Sequence, residues 1–120
     1  MAKRILVVED NDLNRKLFCE VLRVNGFAVE PVADGRQAID RARGFVPNLV
    51  VMDVAFPNVS GLDLIASLQA DRHLRPVPVL VVTACAASGD EQRIREAGAA
   101  GYLAKPVTVR PFMDEVRRLT

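Results

Sequence analysis

Short apolar runs alternate along the chain with segments of helical periodicity. The runs are rich in β-branched residues and have the length of strands, and in most of the segments between them apolar residues recur every three or four positions. The apolar runs predict five strands, at residues 4–8, 27–32, 49–52, 77–82 and 101–104. A helix is expected after each of them, so the pattern predicts five strand–helix units.

Capping residues and apolar faces define the predicted helices. Asp34 with Gln37 and Ser88 with Glu91 have the spacing of capping boxes, and Thr108 is a candidate N-cap. The apolar positions are Leu13, Leu17, Val21 and Leu22 in the first helix, Leu62, Ile65 and Leu68 in the third, and Phe112, Val116 and Leu119 in the fifth. Ile94 is the one large apolar residue of the fourth helix, which we expect to be held weakly against the sheet.

The order of the elements predicts the fold class. Strands that are apolar throughout must be covered on both faces, and strands separated by helices run parallel through right-handed crossovers. We expect an α/β fold with a doubly wound five-stranded parallel sheet, flavodoxin-like (βα)5, in the strand order 2-1-3-4-5. Residues 1–120 are predicted to form a single domain with no output domain. Such sheets bind ligands at the carboxyl ends of their strands.

Composition and charge narrow the functional classes. The chain has 120 residues, half of them apolar, and a formal net charge of +1, which is typical of one globular domain and gives no basic footprint for direct nucleic-acid binding. Cys19 and Cys85 lack metal-ligand spacing and are expected to be reduced thiols. The apolar run that begins at Ile5 is too short for a signal peptide or membrane insertion, so we expect a cytoplasmic protein.

Functional side chains collect at the predicted carboxyl edge of the sheet. They are Glu9 and Asp10 after the first strand, Asp53 after the third, Thr83 after the fourth and Lys105 after the fifth. The first and third strands are neighbours in the predicted order, so the three carboxylates converge, with one lysine to balance them. A divalent cation, Mg²⁺, suits these hard oxygen ligands, and a carboxylate can attack phosphorus to form an acyl phosphate.

These residues, in this order, resemble the receiver domain of two-component response regulators. The resemblance covers the whole chain and includes the loop with Pro57 and Gly61, the Thr83-Ala84 pair and the Lys105-Pro106 pair. Within the family, the opening Asp10-Asn11-x-Leu13-Asn14 and the helix that starts at Gly89 are most similar to stand-alone DivK-type cell-cycle regulators.

The resemblance implies a role for each residue of the predicted site. Asp53 is the phosphoacceptor, and Glu9, Asp10, Asp53 and the backbone carbonyl of Ala55 hold Mg²⁺. Thr83, Ala84 and Lys105 bind the phosphoryl group, and Thr83 and Tyr102 form the switch. The Lys105–Pro106 peptide bond is expected to be cis. The implied partners are a sensor histidine kinase or a histidine phosphotransfer protein, which in this family docks on the first helix, and a downstream protein target. The protein is then a phosphoacceptor that assists its own phosphorylation and dephosphorylation, and not an enzyme.

Four alternatives compete with this interpretation. A haloacid-dehalogenase-like phosphohydrolase, which also uses an Asp nucleophile, needs a second Asp where Ala55 stands. A flavin carrier needs a phosphate loop where Glu9 to Asp12 carry negative charge. A nucleotide switch needs the G-x-x-x-x-G-K motif, which the sequence lacks. A receiver domain truncated from a larger DNA-binding regulator or hybrid kinase would have the same sequence features, so this alternative stays open.

Overall fold

The computed structural model describes residues 2–56, 59–84 and 89–120. Five strands alternate with five helices. In chain order the elements are β1 (Arg4–Val8), α1 (Asp12–Val24), β2 (Ala28–Val32), a 3-10 turn (Gly35–Gln37), α2 (Ala38–Phe45), β3 (Leu49–Met52), α3 (Gly61–Ala70), β4 (Val79–Thr83), α4 (Asp90–Glu96), β5 (Gly101–Ala104) and α5 (Val109–Leu119).

The sheet has the predicted topology. All pairings are parallel and the strand order is β2-β1-β3-β4-β5, which confirms the doubly wound α/β fold. Val8, the last residue of β1, lies opposite Met52, the last residue of β3. The two strands therefore end level with each other, and the residues that follow them, Glu9 and Asp53, begin at the same edge.

The sheet separates two apolar layers. Along β1, Leu6 and Val8 belong to the layer under α2, α3 and α4, whereas Ile5 and Val7 belong to the layer under α1 and α5. This alternation follows from the two-residue period of a strand. Burying each such side chain stabilises the fold by about 2 kcal/mol, which makes the core a rigid support for the loops at the sheet edge.

The predicted boundaries of two strands, β2 and β4, were wrong. β2 begins at Ala28 and not at Phe27, because the Phe27 N–H donates to the Leu22 carbonyl and closes the end of α1. β4 spans Val79–Thr83 and not 77–82, because the Val77 N–H is used in a turn to Leu74. β4 also ends one residue later than predicted, at Thr83.

The predicted helix caps were correct in part. Asp34 accepts from the Arg36 N–H and caps the 3-10 turn, so α2 begins later and Gln37 makes no capping bond. Thr108 occupies the N-cap of α5, but its side chain makes no capping bond. Gly89 is the N-cap of α4, and Ser88, the predicted cap, lies outside the described residues.

The apolar positions of α1 do not all face the core. Leu22 is fully buried, whereas 67% of Leu13 and 48% of Leu17 is exposed to solvent. Among the described helices, none has the length and apolar character required to cross a bilayer.

Candidate functional site

Backbone hydrogen bonds continue the sheet ladder into the site. The Glu9 N–H donates to the Val32 carbonyl at 3.0 Å, and the Asp53 N–H donates to the Val8 carbonyl at 3.2 Å. The Lys105 N–H donates to the Thr83 carbonyl at 2.9 Å. Because the ladder fixes their backbones, Glu9, Asp53 and Lys105 are held by the sheet itself.

The Lys105 ammonium joins the two carboxylates. Its Nζ lies 2.6 Å from Glu9 Oε1 and 2.7 Å from Asp53 Oδ2. The other oxygens accept from the backbone, Asp53 Oδ1 from the Ala55 N–H at 3.0 Å and Glu9 Oε2 from the Asn11 N–H at 3.2 Å. The exposed side-chain fractions are 2% for Glu9, 7% for Asp53 and 16% for Lys105, so the cluster is shielded and opens to solvent on the lysine side.

Burial and charge pairing shift the pKa values of Glu9 and Lys105 in opposite directions. Burial raises the pKa of the Glu9 carboxyl, and the hydrogen bond from Lys105 offsets only part of this effect. Burial alone would lower the pKa of Lys105, but its hydrogen bonds to Asp53 and Glu9 outweigh this and raise it. Lys105 therefore stays charged, and it partly balances two buried carboxylates.

Other predicted residues belong to β4, β5 and the segments that directly follow these strands. Thr83 is fully buried at the end of β4, and Ala84, which follows it, is exposed. Tyr102 of β5 lies half-buried against the apolar layer under α2, α3 and α4. The Lys105–Pro106 peptide bond is cis.

Asp10 is not gathered into the cluster. Asp10 is exposed to solvent, and in the described part of the chain its side chain makes no hydrogen bond or ion pair. Across residues 2–56, 59–84 and 89–120, no three His, Cys, Asp or Glu side chains are arranged to hold a metal ion. The donor chemistry nevertheless fits Mg²⁺, because Glu9, Asp10 and Asp53 offer hard oxygens and Lys105 balances only one of their three charges.

The prediction from sequence missed one residue, Arg15, which contacts the segment between β1 and α1. The Arg15 guanidinium donates to the backbone carbonyl of Glu9 at 2.9 Å and to the carboxylate of Asp12 at 2.6 Å. Its spacing, six residues after Glu9 in the first turns of a helix, matches no motif that we considered. An arginine there is usually a solvated surface residue.

Known proteins resemble this chain over nearly its full length. The family model of the response regulator receiver domain matches residues 5–117. The chain is 41% identical over 117 residues to the polar-differentiation response regulator DivK of Brucella ovis, covering 98% of this chain and 95% of that one.

Solved structures agree with this match. The receiver domain of a sensor histidine kinase from Pseudomonas aeruginosa PAO1, solved with a magnesium ion coordinated in its active site cleft, is 33% identical with a TM-score of 0.90, covering 99% of this chain and 98% of that one. The chemotaxis response regulator CheY4 of Vibrio cholerae has a TM-score of 0.93 over the whole of both chains, and at 24% identity it shows the fold alone.

Proposed function

The chain belongs to the response regulator receiver family of two-component systems, as a DivK-like member, and we propose that Asp53 is its phosphoacceptor. The observation that carries the proposal is the position of Asp53 at the carboxyl edge of the sheet, with its Oδ2 atom 2.7 Å from the Lys105 ammonium. A carboxylate held beside a fixed cation, at the edge where parallel sheets bind ligands, is placed to receive a phosphoryl group.

The proposed reaction is a transfer of one phosphoryl group to oxygen. A carboxylate oxygen of Asp53 forms a bond to phosphorus as the bond from phosphorus to the donor breaks, and the electron pair of that bond leaves with the imidazole or carboxylate of the donor. Lys105 stays protonated and binds a phosphoryl oxygen, and the Thr83 hydroxyl and the Ala84 backbone N–H are proposed to bind others. Ala55 offers only a methyl group where a phosphohydrolase would place its general acid.

We assign the magnesium site to Glu9, Asp10, Asp53 and the carbonyl of Ala55. Glu9 and Asp53 are already held at the edge, and Asp10 is the flexible ligand because its side chain is free to turn inward. When bound, the ion neutralises charge on the phosphoryl oxygens. The carboxylates supply the hard oxygens that it requires.

The signal is proposed to pass from Thr83 to Tyr102. Phosphorylation adds strong acceptor oxygens beside Lys105, which attract Thr83 at the end of β4. β4 and β5 are neighbours, with Val81 opposite Tyr102, so movement at the end of β4 changes the space beside the tyrosine ring. The surface built by α4, β5 and α5 then changes, and a downstream protein reads it.

An apolar groove beside the site is the proposed docking surface for the phosphodonor. The groove has a volume of about 560 Å³ and lies between α1 and the start of α5; its lining includes Leu17, Phe18, Pro106, Val109 and Phe112. Lys105 also lines it, so the groove reaches the phosphoryl site. A histidine-bearing helix of a kinase or phosphotransfer protein seated there brings its phosphohistidine next to Asp53.

Intact-protein mass spectrometry tests the proposal. Wild type and Asp53→Asn are incubated with a small acyl-phosphate donor, each with Mg²⁺ and with a chelator in its place. We expect wild type to gain one phosphoryl group in Mg²⁺ only, and Asp53→Asn to gain none while keeping its circular dichroism spectrum. A gain of equal size in folded Asp53→Asn contradicts Asp53 as the acceptor, and an equal gain in chelator contradicts the role of the ion.

A further inference from the structure

Arg15 of α1 contacts the loop that carries two of the proposed magnesium ligands. Its Nη1 atom lies 2.9 Å from the Glu9 carbonyl oxygen and 3.4 Å from the Asp10 carbonyl oxygen. Its Nη2 atom lies 2.6 Å from Asp12 Oδ1. Only 21% of the side chain is exposed, so the guanidinium is packed against the loop and not extended into solvent.

These contacts fix the backbone from which the acidic side chains project. The guanidinium presents its N–H donors in a rigid plane, so one group can hold several carbonyls at fixed positions. Asp10 itself has an exposed side chain with no partner in the described part of the chain, so its backbone alone determines where the carboxylate can reach. Without Arg15, the sheet still holds the Glu9 backbone, but the Asp10 carbonyl loses its contact with the guanidinium and the position of Asp10 is less restrained.

Arg15 also carries a positive charge into an acidic loop. Asp12 begins α1 with its carboxylate 92% exposed, two residues after Asp10. The ion pair with Arg15 holds this carboxylate on the helix side. It thereby lowers the repulsion between Asp12 and Asp10, which lie two residues apart in the same loop.

We propose that Arg15 is a positioning residue for the magnesium site. Through its bridge to the carbonyls of Glu9 and Asp10 it holds the acidic loop in the arrangement that binds Mg²⁺, without touching the ion or the phosphoryl group. This inference rests on the proposed function. The inference goes beyond the proposed function because it assigns a role to a residue that is not a magnesium ligand.

Magnesium binding, measured by titration calorimetry without a phosphodonor, tests the proposal. We expect Arg15→Gln to raise the Kd for Mg²⁺ by about tenfold, as the loss of outer hydrogen-bonding partners does at other metal sites. Lys16→Gln is the matched control, because it removes one positive charge from the next residue, which is exposed and makes no described contact. Its Kd is expected to stay within twofold of wild type.

Kinetics separate positioning from a general loss of structure. With a small acyl-phosphate donor, Arg15→Gln is expected to need about tenfold more Mg²⁺ for half-maximal phosphorylation and to reach nearly the wild-type rate at saturating Mg²⁺. Arg15→Lys keeps the charge without the planar donor group and is expected to fall between wild type and Arg15→Gln. Thermal unfolding establishes that each variant is folded.

The outcomes distinguish this inference from the proposed function. If wild type neither binds Mg²⁺ nor accepts a phosphoryl group, the proposed function fails. If wild type does both and folded Arg15→Gln binds Mg²⁺ within twofold of it, only the role of Arg15 is wrong. If Arg15→Lys binds Mg²⁺ with the wild-type Kd, the planar bridge is not the cause of the effect. If the phosphorylation rate of Arg15→Gln stays low at saturating Mg²⁺, Arg15 is not a positioning residue.

Discussion

Gly61 packs its backbone so closely against Val54 that a Cβ atom on Gly61 would lie 2.2 Å from the Val54 Cα. The Gly61 N–H also donates to the Val54 carbonyl at 3.3 Å. α3 therefore begins in contact with the residue that follows Asp53. We expect Gly61→Ala to lower the free energy of unfolding by about 2 kcal/mol or more, since the neighbouring backbone must move to make room.

Gly44 provides the matched control for this substitution. It lies inside α2, and a Cβ atom on it would have open space, with no contact within 4 Å to the described residues beyond its own helix. Alanine is the better helix former, so Gly44→Ala is expected to raise the free energy of unfolding by about 0.5 to 1 kcal/mol. Urea denaturation of both variants checks the pair. A Gly61→Ala protein as stable as wild type would show that the contact with Val54 is not tight.

The sheet and the position of the site could be predicted from sequence because both depend on long apolar runs. Runs such as 49–52 are buried on both faces, and this feature determines parallel pairing and places Asp53 at the carboxyl edge. Boundaries depend on single backbone hydrogen bonds, such as that of Phe27 to Leu22, which the pattern does not contain.

Side-chain directions could not be predicted in the same way. The sequence brings Glu9, Asp10 and Asp53 to one edge, but it does not show that Lys105 binds two of them and leaves Asp10 in solvent. Nor does helical spacing distinguish Leu22, which is buried, from Leu13, which is exposed. Both differences depend on packing between elements that are distant in sequence.

Asp71 connects α2 to the turn that follows α3, and this contact makes stability depend on pH. The Arg43 Nε atom lies 2.8 Å from Asp71 Oδ2, and the N–H groups of His73 and Leu74 donate to Oδ1. The hydrogen bond from Arg43 lowers the pKa of Asp71, and those backbone bonds add to the effect. This stabilisation is complete above the ordinary pKa of 3.8 and is lost as the pH falls through the lower folded value.

Asp71→Asn tests this contact, because the amide oxygen still accepts from the turn while the ion pair with Arg43 is lost. We expect a lower unfolding midpoint than wild type at pH 7 and a difference that shrinks once the pH falls below 3.8. Asp40→Asn is the control, because Asp40 faces the same Arg43 at 3.8 Å with 88% of its side chain exposed. It is expected to leave the midpoint unchanged. If the unfolding midpoint of Asp71→Asn differs from that of wild type by the same amount at every pH, the ion pair is not the cause.

A substitution of Leu17 tests the proposed docking groove. Leu17 lines the groove and is 48% exposed, so Leu17→Glu places a charge on an apolar surface without disturbing the core. We expect phosphotransfer from a phosphorylated histidine phosphotransfer domain that is active with wild type to fall about tenfold, the effect of losing one important interface contact. Phosphorylation by a small acyl-phosphate donor is expected to be unchanged.

Val24→Glu is the control for Leu17→Glu. Val24 is the last residue of the same helix and is 87% exposed, and it does not line the groove. Its phosphotransfer rate is expected to equal that of wild type. Equal losses of phosphotransfer rate in the two variants would show that the added charge acts regardless of its position. An unchanged rate in Leu17→Glu would place the proposed docking surface elsewhere.

Ala55 sets the expected lifetime of the phosphorylated protein. It is exposed two residues after Asp53, and its methyl group cannot orient a water molecule toward phosphorus. Cys85, two residues after Thr83, lies outside the described residues. We expect slow loss of the phosphoryl group, over minutes or longer. Ala55→Asn is expected to hasten it several-fold because the amide can position water.

The decay of phosphorylated protein in Mg²⁺ buffer, followed by intact mass, measures this lifetime. Ala66→Asn on the exposed side of α3 is the control, since it makes the same chemical change away from the site. Its decay is expected to match that of wild type. Loss of the wild-type phosphoryl group within seconds would contradict the prediction, as would an Ala55→Asn protein that decays no faster.

α4 is the helix that we expect to respond most readily to phosphorylation. It has only seven residues, and Ile94 is its one buried side chain, whereas α5 buries Phe112, Met113 and Val116. Little apolar area therefore holds α4 to the sheet, and local opening costs less free energy there than in α5. In hydrogen exchange we expect the α4 amides to exchange at least tenfold faster than those of α5, and phosphorylation to change their rates more. Equal protection of the two helices would remove α4 as the element that carries the signal.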